Sequence, residues 1–180
     1  MIILGVDPGS VLCGYGVVEH NGRNIALVEY GVIEAKRRHQ DFNQRLKEIF
    51  SRLNSVIDRT NPDAAAFEAL FYSKNAQSLI KLSHARAAAI LAVTNNDIPI
   101  IEYSAREIKK SVTGRGSASK EQVQFMVRNL LGIEETPQFF DATDALAVAI
   151  CHVLRKNHNS KKSTSWADYL KEHPELIISK

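Results

Sequence analysis

The chain is poor in cysteine, in long apolar runs and, over one long stretch, in acidic residues. Cys13 and Cys151 are the two cysteines of the 180 residues. They are far apart and show no paired-cysteine metal spacing, so a disulfide framework and a zinc ribbon are both excluded. They are expected to stay reduced in a cytoplasmic protein. No apolar run reaches the length of a membrane span, so no membrane partner is expected. The N-terminus has neither the basic segment nor the cleavage site of a signal peptide. Acids are missing from Ala69 to Asn96, where Lys74, Lys81 and Arg86 stand unopposed in sequence.

What is present is ordinary in bulk: 44% hydrophobic and 24% charged residues, enough for one globular domain with a proper core. The net charge of +3 is small, so its distribution carries more information than its total. Between Ser104 and Leu131 lie Arg106, Lys109, Lys110, Arg115, Lys120 and Arg128, against Glu107 and Glu121. Such a basic surface suits a polyanion. A solvated helix face accounts for the same charges.

Four acids stand in apolar surroundings. Asp7 ends Ile2-Ile3-Leu4-Gly5-Val6, and Glu68 ends Ala64-Ala65-Ala66-Phe67. Asp141 and Asp144 open the helical pattern that continues through Ala145-Leu146-Ala147-Val148-Ala149-Ile150. Burying an unpaired carboxylate is costly. A hard divalent cation such as Mg²⁺ takes oxygen ligands and would offset that cost. Singly, each acid also has a plain explanation: Asp7 shapes the Pro8-Gly9 turn, Glu68 is a surface residue, Asp141 caps a helix, and Asp144 faces the helix dipole.

The local patterns predict three antiparallel strands over 2–7, 14–18 and 25–33, with Asn21-Gly22 as a hairpin turn. An amphipathic helix follows through Phe42, Leu46, Ile49, Leu53 and Ile57 and stops at Asn61-Pro62. Residues 64–70 read as a short buried strand or as the start of a helix. A helix over 75–93 carries an alanine cluster suited to close packing, and this helix is the candidate subunit interface. Ile98–Ile101 reads as an edge strand, on account of Pro99. Ser104…Glu107 and Ser119…Gln122 are capping boxes that start two helices, separated by a flexible basic loop over 113–117. A last helix runs from about Asp141 to Lys156. Residues 1–156 form the expected domain, and 157–180 a polar, basic tail. The histidines show no ligand spacing and are expected on the surface or in the tail.

This alternation indicates an α/β fold with a mixed sheet. Ligands of open α/β sheets bind beyond the carboxyl ends of the strands, where Asp7 and Glu68 would sit. Asp141 and Asp144, three apart on a helix, share a face.

Asp7-Pro8-Gly9-Ser10 with Gly14-Tyr15-Gly16 resembles the opening of the bacterial RuvC family of Holliday junction resolvases. The similarity continues through Phe67-Glu68-Ala69-Leu70-Phe71-Tyr72-Ser73-Lys74-Asn75-Ala76, Ala85-Arg86-Ala87, Glu102-Tyr103-Ser104-Ala105-Arg106 and Gly114-Arg115-Gly116-Ser117-Ala118. It includes Lys120 with Gln122-Val123-Gln124 and closes on Asp141-Ala142-Thr143-Asp144-Ala145-Leu146-Ala147. The motifs are weak singly and specific together, in order over residues 1–156.

The resemblance implies an RNase H-like fold, a five-stranded mixed sheet flanked by helices. It implies an endonuclease of recombination and DNA repair, working as a homodimer that nicks two strands of like polarity at four-way junction DNA and leaves 5′-phosphate and 3′-hydroxyl ends. By the same resemblance Asp7, Glu68, Asp141 and Asp144 are the catalytic, metal-holding acids, with two Mg²⁺ per subunit and Mn²⁺ as a substitute. Phe71 is then the aromatic residue near the junction centre, and Lys109 and Lys120 are functional lysines. Lys74, Lys110 and Arg115 join them as candidate DNA contacts, and the RuvA–RuvB branch-migration complex is the expected partner. Lys81 and Arg86 either line a path between protomers or lie exposed and idle. Two residues depart from the family pattern: Cys13 stands where threonine is frequent, and Ala69 where glutamine is common. Neither supplies a catalytic group; both bear on sequence preference.

Two carboxylate-held metal ions about 4 Å apart are suited to phosphodiester hydrolysis, because they activate a water and stabilise the leaving oxygen. An actin-like ATPase or sugar kinase also opens with an Asp-x-Gly turn, but needs a second phosphate loop and a second lobe. A non-catalytic junction-binding module would not need the four acids. An RNase H-like nuclease for RNA–DNA hybrids is the remaining alternative.

Overall fold

The computed structural model describes residues 1–70, 75–134 and 140–161, with side chains described as far as 155. The chain opens with β1 (Ile2–Asp7), β2 (Cys13–His20) and β3 (Ile25–Ile33), an antiparallel meander as the alternation predicts. Asn21 forms the first turn by accepting from the amides of Arg23 and Asn24, with Gly22 at φ 90°. That conformation costs glycine little.

The segment that local pattern leaves ambiguous is a strand, β4 (Ala64–Glu68), parallel to β1. Tertiary pairing overrides the helix propensity of its alanines, because both faces of this strand are covered. The last strand, β5 (Ile100–Tyr103), is parallel to β4 and completes the sheet in the order β3-β2-β1-β4-β5. It lies at an edge, as Pro99 suggests. The proline itself stands just before the strand and offers its carbonyl to the Ala65 amide.

Six helices connect and cover these strands among the described residues: α1 (Ala35–Arg38), α2 (Phe42–Thr60), α3 (Ala76–Thr94), α4 (Ala105–Thr113), α5 (Lys120–Leu131) and α6 (Phe140–Lys161). The short α1 is not announced by any periodic pattern. Both capping boxes form as read, ahead of α4 and α5. α6 continues to Lys161, beyond the expected end at Lys156.

The period-two alternation of the strands sorts residues onto two faces. Leu4, Val6, Val17 and Phe67 pack with Ile49 and Leu53 of α2 and Ala89 and Val93 of α3. Ile3, Val18 and Ala66 pack with α4, α5 and Leu146 and Ile150 of α6. On this second face α6 lies almost against the strand backbone. A Cβ on Gly5 would come within 2.0 Å of the Ala145 carbonyl, and one on Gly14 within 2.0 Å of the Asp141 carbonyl. Glycine at these positions therefore lets α6 sink onto the sheet and fixes where Asp141 stands.

Two expectations change. His152 is buried, not on the surface, and its Nδ1 is 2.9 Å from the Tyr103 hydroxyl. Most alanines of α3 point inward: Ala85, Ala88, Ala89 and Ala92 are buried in the chain's own core. The outward residues of α3 include Ile80, His84, Ala87 and Leu91, one stripe at three- and four-residue spacing. Among the described residues no helix is long and apolar enough to cross a membrane.

Candidate active site

The site is built from the register of two parallel strands. Val6 stands level with Phe67, so the next residues, Asp7 and Glu68, leave the carboxyl ends of β1 and β4 side by side. Alternation puts both on the face covered by α6, since Gly5 meets α6 and Ala66 belongs to the same face. Asp141 lies in the first turn of α6, with Asp144 three residues on. Close seating of α6 over Gly14, the partner of Asp7 across β1 and β2, delivers this pair to the strand ends.

The electrostatics record the convergence. Burial, then the charges of Asp144, Glu68 and Asp141, push the Asp7 carboxyl from its ordinary 3.8 up to about 7. Glu68 is also raised, by burial first and then by Asp144. Carboxylates gathered in a poorly solvated place favour proton uptake or a cation. Lys120 answers part of that demand: its Nζ is 2.9 Å from Asp144 Oδ2, and its own pKa is raised chiefly by that bond.

A cleft of about 430 Å³ opens here, lined by Asp7, Glu68, Asp144, Leu70, Lys109 and Lys120 among others, while Asp141 stands outside its lining. Two of the predicted basic residues thus enter the acidic cleft. Lys110 is exposed outside it, and Arg115 lines a different groove of about 510 Å³ beside Phe125 and Met126. Phe71 and Lys74 lie outside the described residues. Lys81 is exposed. Arg86 is neither path-lining nor idle: it is only 6% exposed and bonds the main chain of Glu68.

The donor set fits a hard divalent ion, being carboxylate oxygen throughout. Among the described residues no three acid, histidine or cysteine side chains close into a ready-made cage. An open set of this kind suits Mg²⁺, which keeps waters or substrate oxygens among its ligands.

Two structural roles escape motif reading, although Gly14 and Arg86 stand within the quoted motifs. The glycines under α6 carry a signal in sequence, since glycine inside a strand marks close backbone approach. Arg86 carries a fainter one, as the only charge in Ala85-Arg86-Ala87-Ala88-Ala89.

Comparison with known proteins gives concordant results. The family model described as Crossover junction endodeoxyribonuclease RuvC matches residues 3–152. A Cytophaga hutchinsonii protein of that name is 42% identical over 176 residues, spanning 98% of this chain and 88% of the relative. An Edwardsiella ictaluri protein of that name is 49% identical over 154 residues, spanning 84% and 87%. Among solved structures, Thermus thermophilus RuvC in complex with Holliday junction substrate superposes with a TM-score of 0.82 at 30% identity, covering 89% of this chain and 97% of the other.

Proposed function

Because the chain belongs to the RuvC family of crossover junction endodeoxyribonucleases, we propose that it resolves Holliday junctions in recombination and DNA repair. In this reading it nicks two strands of like polarity with metal ions held by Asp7, Glu68, Asp141 and Asp144. The observation that carries the reading is the meeting of acids from β1, β4 and α6 in one cleft with Lys109 and Lys120.

Asp7 is the acid most enclosed by other acids and would be the central member of the metal-holding set. Glu68 and the α6 pair complete the ligand set. Divalent ions bound there, two Mg²⁺ per subunit with Mn²⁺ as a substitute, would activate a water and stabilise the leaving 3′ oxygen, leaving 5′-phosphate and 3′-hydroxyl ends. The protein's own groups orient and neutralise. Lys120 exchanges Asp144 for a phosphate oxygen near the scissile bond, and Lys109 holds a neighbouring phosphate. Lys110 and Arg115 track the arms outside the cleft, and Lys74 is a further proposed DNA contact. Phe71, three residues after Glu68, stacks on bases unpaired at the junction centre.

A four-way junction has approximate two-fold symmetry, and among the described residues each chain shows one such cleft. A C₂ homodimer therefore supplies both cuts. The outer stripe of α3 is assigned to the interface: Ile80 is 56% and Leu91 59% exposed. The RuvA–RuvB complex is the proposed upstream partner, and the cytoplasm the proposed location.

The test offers Mg²⁺ and four substrates in parallel: a labelled four-way junction, linear duplex, an RNA–DNA hybrid and ATP. Paired nicks confined to the junction are expected, with Asp7→Asn binding the junction but not cutting it. Cleavage of the hybrid alone, or a cutting Asp7→Asn variant, refutes the reading. Sedimentation at micromolar concentration should show a dimer. A fully active monomer refutes that part.

A further inference from the structure

Arg86 sits on α3 among buried alanines and is itself 6% exposed. A guanidinium is buried at high cost unless paired and hydrogen-bonded, so its partners show what holds it there. All of them lie where β4, which ends at Glu68, runs beside β5. Nη1 donates to the main-chain carbonyl of Glu68 at 2.5 Å. Nη2 stands 2.7 Å from Oε1 of Glu102 on β5, an ion pair rather than a well-directed hydrogen bond. The guanidinium lies over the ring of Phe67, 5.4 Å from its centroid. Phe67 and Glu102 face each other across β4 and β5. One side chain from a helix therefore grips the residue before Glu68, the peptide of Glu68 and the neighbouring strand.

We infer that Arg86 is a positioning residue for Glu68, clamping the last peptide of β4 so that the carboxylate is held in the cleft. The inference rests on the reading of Glu68 as a site carboxylate. β4 ends at Glu68, and among the described residues the bond from the Ala69 amide to the Tyr103 carbonyl is the last between β4 and β5. The orientation of Glu68 is thus set at the point where sheet pairing runs out. Arginine suits the task because its planar fork serves two acceptors and stacks on an aromatic ring together. Lysine can serve one of these partners but not all three.

The experiment compares Arg86→Gln, Arg86→Lys, Glu102→Gln and Glu68→Gln. It measures kcat and KM on a synthetic junction, and Mn²⁺ affinity by calorimetry without DNA. Misplacing a reacting group by about 1 Å lowers a rate on the order of 100-fold. Arg86→Gln is expected to lose about that much in kcat and to bind Mn²⁺ more weakly, with KM for the junction nearly unchanged. Arg86→Lys should recover part of both. A folded Arg86→Gln protein with wild-type kcat and Mn²⁺ affinity overturns the inference. So does an equal loss in kcat and KM that lysine does not rescue. If the Arg86 variants do not fold, Glu102→Gln decides, since Glu102 has a half-exposed side chain: lower kcat at constant KM supports the clamp, and wild-type kcat refutes it. Glu68→Gln separates the two levels. Retained nicking there defeats the reading of the site itself, whereas a dead Glu68→Gln beside a normal Arg86→Gln defeats only the clamp.

Discussion

Replacing Asp7 with asparagine should make the metal-free protein more stable, and only where Asp7 would otherwise be forced to ionise. In the folded chain its carboxyl is raised from 3.8 to about 7, first by burial and then by Asp144, Glu68 and Asp141. Below 3.8 the group is protonated in both folded and unfolded chains and contributes no pH dependence. Between 3.8 and about 7 the unfolded chain releases the proton and the folded chain keeps it. The folded state then binds more protons, so stability falls as pH rises. Above about 7 the loss is complete. At 1.36 kcal/mol per tenfold change, the full interval amounts to about 4 kcal/mol, of which about 3 kcal/mol falls between roughly pH 4.5 and 8. Asparagine has nearly the same shape and does not titrate. The assay is urea unfolding of both proteins across that range with a chelator present. The stability difference, variant minus wild type, should grow by about 3 kcal/mol towards high pH. Added Mg²⁺ should shrink it, because a cation stabilises the ionised wild-type site. A difference that stays constant within about 1 kcal/mol across the range would refute the claim that Asp7 is held protonated by its surroundings.

Two further predictions address the scaffold and the lysines. Gly14→Ala puts a Cβ within 2.0 Å of the Asp141 carbonyl, so α6 must lift from the sheet. Stability should drop by about 3 kcal/mol or more in urea and junction nicking should be lost; a change under about 1 kcal/mol would contradict the close seating of α6. Lys120→Met and Lys110→Met should each lower the salt dependence of junction binding by about one phosphate contact. Only Lys120→Met should also lower kcat, since Lys120 lines the acidic cleft and Lys110 does not; equal kcat in the two variants would remove Lys120 from the site.

Local sequence determined much of this protein. The Asn21-Gly22 turn, the two capping boxes and the acid at the end of each apolar run depend on neighbours within a few residues, and all are read without a fold. These short-range features, with the motif resemblance, point to the family and single out the four acids as candidates. Other features were decided by pairing between distant segments, which local periodicity does not encode. Residues 64–68 became a strand because β1 and β5 flank them, against the helix preference of three alanines. Glu68 faced the same side as Asp7 only because Val6 and Phe67 are in register; a shift of one residue would have turned it to the opposite face. Lys109 and Lys120 met the acids inside the cleft instead of forming a separate basic surface, because α4 and α5 both pack on α6. The alanines of α3 turned inward, and Arg86 was buried against Glu68, through the packing of α3 on the far face of the sheet. The residue types of the chemistry are thus written locally. Their distances, faces and protonation arise where backbone pairing and exclusion of water bring remote segments together.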